Sequence, residues 1–190
     1  MGKSGKFILI AIVAIIVVLA VGAVSAYNGL VNLKENVSEY ASNIDAQLQR
    51  RADLIPNLVS TVKSYTKHEE KVFTELANAR ASLNSAKTMT EKADADSQLN
   101  TALGNVIAIA EAYPNLASNT LYTSMMDELE GCENRISYAR TNYNSAAKAY
   151  NAKLKKFPTA IFARMFGFEA VDYFTASAGA EEVPSVNFDS

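Results

Sequence analysis

Cysteine and histidine are almost missing from this chain, which has one of each, Cys132 and His68. A lone cysteine excludes an intramolecular disulfide and a thiolate metal cluster. A lone histidine closes off most metal and acid–base schemes. Tryptophan is absent, and 190 residues hold only four prolines and eight glycines. With so few helix breakers and abundant Ala, Leu, Asn and Lys, the composition favours an all-α chain. Nor is there an excess of charge of either sign: 18 Lys and Arg stand against 20 Asp and Glu, net -2. A chain so balanced has no electrostatic footprint for nucleic acid, and none is expected as a partner. No Gly-rich phosphate loop, zinc-ligand spacing or nucleophile elbow is present. No catalytic residue, cofactor or metal is therefore assigned, and the chain reads as a non-enzyme.

What the chain does have is one long hydrophobic run. Residues 7–26 are uncharged and dominated by Ile, Val, Leu and Ala, about 30 Å as a helix, which matches the hydrocarbon core of a bilayer. The run inflates the 49% hydrophobic content; the remainder is ordinary soluble composition, enough for one domain. Val24, Ser25 and Ala26 would suit a signal peptidase. The run is longer than the usual apolar core of a signal peptide, about 7–15 residues, so a retained anchor is expected. Lys3 and Lys6 precede it within a basic flank at 1–6, and only Lys34 follows closely. That asymmetry predicts a single-pass protein of the cell membrane with its N-terminus inside and its domain outside.

Beyond the span, residues 37–83 carry a 3-4 apolar seam that includes Val37, Ile44, Leu48, Ile55, Leu58, Val62, Val72, Leu76 and Leu83. A stripe of this period needs a partner along one face of a helix. The seam predicts one helix over about 30–87, kinked rather than reversed at Pro56, whose ring removes the hydrogen bond to the carbonyl of Ala52. Thr88 and Glu91 have capping-box spacing and mark a turn and a new start. A second helix with Leu99, Leu103, Val106, Ala110 and Tyr113 on one face stops at Pro114, and Ser118 or Asn119 can cap a third. The third shows heptads through Tyr122, Met125, Leu129, Cys132, Ile136, Ala139, Tyr143, Ala146 and Tyr150 and ends at Pro158. The expected fold is all-α: a transmembrane helix followed by an elongated antiparallel bundle of three long helices and a short C-terminal helix. The bundle domain occupies 27–174, and a tail at 175–190 is expected to be disordered.

Two places are candidate interaction surfaces. The second helix, about 35 Å, is too short to cover a first helix of about 85 Å. Val37, Ile44 and Leu48 near the membrane are thus left needing the third helix or another subunit, and self-association into a homo-oligomer is expected. From Thr159 the chain turns aromatic, and Ile161, Phe162 and Phe166 either cover the end of the bundle or face the membrane or a neighbour. Arg51 and Glu69 are the charged members of the seam, where an unpaired charge is costly. Glu133 of the third helix is a candidate partner for Arg51, so Arg51, Glu69 and Glu133 form a candidate buried polar network. His68 lies beside Glu69 and Glu70, but Tyr65 stands where a Glu-x-x-His di-iron half-site needs its carboxylate. Cys132 on a helical stripe reads as core, as do the tyrosines at 122, 143 and 150.

Several local motifs resemble the LemA family of bacterial membrane-anchored proteins: Ser42-Asn43-Ile44-Asp45, Arg50-Arg51, 53–59 with Pro56 at its centre, His68-Glu69, 111–114, Glu133-Asn134-Arg135-Ile136, Ala139-Arg140, Phe157-Pro158 and Gly167-Phe168. The resemblance covers nearly the whole chain in order. It implies one span followed by a helical bundle and implies no reaction. Relatives include a protein associated with magnetosome membranes, and some members are encoded near a membrane metalloprotease. The expected role is a membrane-anchored, non-catalytic scaffold that self-associates. The alternative is an adaptor or regulator of a membrane protease or envelope-stress system, with a membrane-protein partner.

Overall fold

The structure is a computed structural model that describes residues 3–66 and 68–175, with side chains described from Lys6 onward except Ile8. Met1, Gly2 and the Lys3 side chain of the basic flank, and the expected tail beyond Thr175, lie outside the described residues. Among the described residues there are six helices and no strand, as an all-α reading requires. They are α1 (Lys3–Lys63), α2 (Glu70–Ser85), α3 (Met89–Ala112), α4 (Pro114–Ala117), α5 (Thr120–Lys155) and α6 (Thr159–Met165). Over the described residues they are distributed between two compact units, 3–40 with 144–171, and 41–143 with 172–175.

In the first unit, α1 begins as a bare apolar helix. Its apolar run is almost wholly unburied, with Ile10, Ile15, Val18, Leu19 and Val21 all more than half exposed. Such a helix is stable only where its surroundings are as apolar as it is. Burial starts at the end of the run, with Ala26, Leu30 and Val37 of α1. The same unit buries Ala147, Tyr150 and Asn151 of α5 and Thr159 and Ala163 of α6. After α6, Gly167 takes a positive φ of 71°, a conformation that favours glycine. The chain then returns along α5: Tyr150 Oη donates to the Glu169 carbonyl at 2.9 Å, and the Asn151 amide exchanges two hydrogen bonds with Val171 at 2.8 and 3.0 Å.

The second unit holds the end of α1, all of α2, α3 and the short α4, and the first part of α5, and its consecutive long helices run antiparallel. The single helix expected over 30–87 is two helices, because the chain reverses at 64–69. Three groups close the end of α1: Ser64 N–H bonds the Thr61 carbonyl, Tyr65 N–H bonds the Val62 carbonyl, and the Thr66 hydroxyl donates to Val62 O at 3.2 Å. Lys63 lies over the Phe73 ring at 5.1 Å across the turn. The helix does continue through Pro56, and the Ala52 carbonyl that proline leaves without its helical donor accepts instead from Arg80 Nε of α2 at 2.9 Å. That bond ties the returning helix to the outgoing one.

The turn into α3 is the capping box that Thr88 and Glu91 imply. Glu91 N–H donates to Thr88 Oγ1 at 3.1 Å, and Thr88 N–H donates to Glu91 Oε2 at 3.0 Å. Leu99, Leu103, Val106 and Ala110 are buried as the stripe predicts. Tyr113 is not on that face, since it caps the helix and Pro114 opens α4. Asn119 rather than Ser118 caps α5, accepting from Tyr122 N–H at 2.9 Å. The α5 stripe buries Tyr122, Met125, Leu129, Cys132, Ile136, Ala139 and Tyr143 in this unit.

Candidate functional site

Three helices of the second unit each place charged residues in its core. Arg51 of α1, 3% exposed, directs Nη1 to Asp96 Oδ1 of α3 at 2.6 Å and to Glu133 Oε2 of α5 at 2.6 Å. Its Nη2 donates to Asn100 Oδ1. Arg140, two turns beyond Glu133 on α5, donates to the other Asp96 oxygen and has Nη1 3.7 Å from Glu133 Oε1. Two guanidiniums thus face two carboxylates, and the cluster is neutral. Asp96 has no exposed surface. Its burial pushes the carboxyl above the usual range, and the Arg51 and Arg140 guanidiniums pull it back. Arg51 Nε and Arg140 Nε have no acceptor.

Arg51 and Glu133, expected near each other, are hydrogen-bonded here. Glu69 is not part of the cluster. Because the helix ends at Lys63, Glu69 falls at the N-cap of α2, half-buried, where a carboxylate suits the helix dipole. Asp96 and Asn100 were missed. The signal for Asp96 is the α3 stripe itself: extended one step back from Leu99, its alternation of three and four lands on Asp96. Arg140 lies beside the α5 heptad, one turn from Ile136, and the stripe alone does not select it.

An open groove of about 550 Å³ runs beside this cluster between α3 and α5. Leu103, Ile107, Tyr122, Met126 and Leu129 supply its apolar walls, and Arg51, Asn100 and Glu133 its polar end. Asp127 and Glu130 stand along it. Ile107 is 46% exposed.

Val37, Ile44 and Leu48, expected to need the third helix or another subunit over them, are covered within one chain, at 5%, 0% and 4% exposed. The reversal at 64–69 is the reason for the last of these: α2 runs back until Leu83 and Asn84 line a depression together with Asp45 and Leu48. Ile161 and Phe166 are exposed and Phe162 is half-buried. His68 is exposed in the turn, and Cys132 is fully buried. Among the described residues no three His, Cys, Asp or Glu gather as metal ligands do.

An apolar N-terminal helix long enough to span a bilayer, continued into antiparallel helices whose core charges neutralise one another, fits a single-pass membrane protein with a helical-bundle domain. The chain belongs to the LemA family, whose sequence profile matches residues 40–188. It is similar to magnetosome protein MamQ 2 of Paramagnetospirillum magneticum and magnetosome protein MamQ of Magnetospirillum gryphiswaldense. Each is 29% identical over 78% of this chain and 64% of the relative. It is also similar to protein LemA of Metamycoplasma hominis, 25% identical over 86% of this chain and 73% of that one. The chain thus spans under two thirds of the magnetosome proteins it matches. None of these names denotes an enzyme.

Proposed function

We propose that this chain is a non-catalytic scaffold of the bacterial cell membrane whose α3–α5 groove holds a second copy of itself. One observation carries the reading: the groove, about 550 Å³, is open and apolar-walled, and the charges at its end are already paired with one another. A reactive centre keeps a titratable group poised for substrate, whereas here Arg51, Asp96, Glu133 and Arg140 direct their hydrogen bonds inward. A second copy is the favoured occupant because a shared membrane confines copies in one orientation, which raises their effective concentration without any new contact. From the magnetosome relatives only the non-enzymatic character of the role is carried over, by analogy.

The test is the mass of the full-length protein in mild detergent by light scattering, beside Ile107→Asp combined with Met126→Asp. A defined multimer that the double variant reduces to a monomer is expected. A monomeric wild type sinks the reading, and crosslinks in native membranes to a protease, with none between copies, would put the adaptor role in its place.

A further inference from the structure

The segment from Phe157 through Phe166 is a feature of the first unit that the scaffold reading leaves unused. α6 buries Thr159 and Ala163 on one side and turns Ile161 and Met165, 58% and 63% exposed, to the other. Residues 159 and 163 are one turn apart, as are 161 and 165, and the two pairs lie about 200° apart around a helix of 3.6 residues per turn. A short helix on a water-facing surface carries polar residues outward; this one carries an isoleucine and a methionine. Phe157, just before it, is 83% exposed, and Phe166, just after it, 42%.

The position of this apolar face says what covers it. Tyr27, the first residue beyond the 7–26 run, packs edge-on against Phe166 and Phe168, with ring centroids 5.1 and 5.6 Å away. Seven residues further along α1, Lys34 lies 6.0 Å from the Phe168 ring centre. The rise from Tyr27 to Lys34 is about 10 Å, so the segment is held at the level where the span leaves the hydrocarbon. That level is the headgroup zone, where Tyr and Trp belts sit. Its charge fits the same place: Lys153, Lys155, Lys156 and Arg164 lie between 153 and 168, and no Asp or Glu does.

We propose that the 157–166 segment is a second membrane contact, with Phe157, Ile161 and Met165 seated in the bilayer interface and Lys155, Lys156 and Arg164 on anionic lipid headgroups. A basic, aromatic-rich amphipathic segment binds such a surface through apolar burial and charge together. The contact fixes the tilt and rotation of the first unit on the membrane, which one spanning helix leaves free. It does not depend on whether copies associate.

The absence of tryptophan makes the test direct. Full-length protein carrying Ile161→Trp is placed at one copy per nanodisc, in phosphatidylcholine and in phosphatidylcholine mixed with phosphatidylglycerol, with and without acyl-chain bromination. Tyr138→Trp, at a position 72% exposed in the second unit, is the reference. Brominated lipid is expected to lower the Ile161→Trp emission about twofold or more, since interfacial segments bury their apolar face about 5–10 Å deep, and to leave Tyr138→Trp unchanged. Quenching is expected to be stronger in the anionic discs, and Lys155→Gln, Lys156→Gln and Arg164→Gln together abolish that difference. Phe157→Trp repeats the measurement should Ile161→Trp disturb α6. Unquenched emission from both probes overturns the proposal, as does a change that appears only when two copies share a disc, since that would mark a protein contact.

Discussion

Arg51 and Asp96 are charged groups in a place that excludes water, and each is tolerable only because of the other's geometry. Removing one partner of a buried pair leaves an uncompensated charge, and the penalty is about 3–5 kcal/mol. Asp96→Ala, which leaves two guanidiniums to share the single Glu133 carboxylate, is expected to lose that much in urea unfolding. Replacing both, as Arg51→Met with Asp96→Leu, leaves Glu133 and Arg140 as a balanced pair and is expected to recover a substantial part. A double-mutant cycle with a coupling under about 0.5 kcal/mol would show the pair to be independent. Glu91 gives a pH-dependent counterpart. Backbone donors of Thr88 and Lys87 hold its carboxyl below the ordinary value of 4.5. A depressed carboxyl stabilises the fold above its unfolded value and loses that contribution as pH falls through the folded one. The gap in thermal stability between wild type and Glu91→Ala is therefore expected at neutral pH and should shrink below pH 4.5; a gap constant with pH would assign the effect to the neutral capping contact. At this scale Arg51, Glu133 and Glu91 were legible, each from its place on a stripe or in a box. Arg140 was not, because a long side chain can reach a core from beside the apolar stripe, and only the packing of α3 against α5 decides whether it does.

The break between α1 and α2 shows what periodicity can hide. An apolar stripe keeps its count through a helical hairpin when both arms face one core, so Val62, Leu76, Ala79 and Leu83 are buried whether the chain runs on or doubles back. The clue lay in two consecutive weak positions, since the three-four count passes from Val62 through Tyr65 and Glu69 to Val72: Tyr65 is 38% exposed and Glu69 half-buried, and both lie between the end of α1 and the start of α2. Phe73 rather than Val72 is buried, a slip of one position that a continuous helix would not make. That the helix runs on through Pro56 and frees the Ala52 carbonyl was legible, but the donor that takes that carbonyl was not, since Arg80 is 28 residues away and its neighbourhood exists only once the hairpin forms. The pairing makes a testable link between the two helices. Arg80→Leu leaves the Ala52 carbonyl without a donor and is expected to cost about 1–3 kcal/mol. In a Pro56→Ala background the new amide of residue 56 can take that carbonyl, and the same change should cost much less. Equal costs in the two backgrounds would mean that Arg80 stabilises the hairpin by packing alone.

The whole molecule is asymmetric about its apolar span, and sidedness follows from which charges act when the span inserts. Lys3 and Lys6 precede it, while Lys34 is the nearest cation after it. The flanking rule weighs positive charge within about 15–20 residues of the span, and Glu35 and Glu39 hardly enter it. Lys153, Lys155, Lys156 and Arg164 lie more than a hundred residues later in the chain. They join the span's neighbourhood only after α5 and α6 have folded, by which time the orientation is set. The bundle is therefore expected outside, with the N-terminus in the cytoplasm. Protease added to intact spheroplasts should then degrade everything beyond the span. Lys3→Gln with Lys6→Gln should render a fraction of the molecules resistant, because the retained flank no longer exceeds the translocated one. Complete resistance of the wild type, with digestion only after lysis, would place the domain in the cytoplasm. The late basic segment would then face the leaflet whose anionic lipids attract it most strongly.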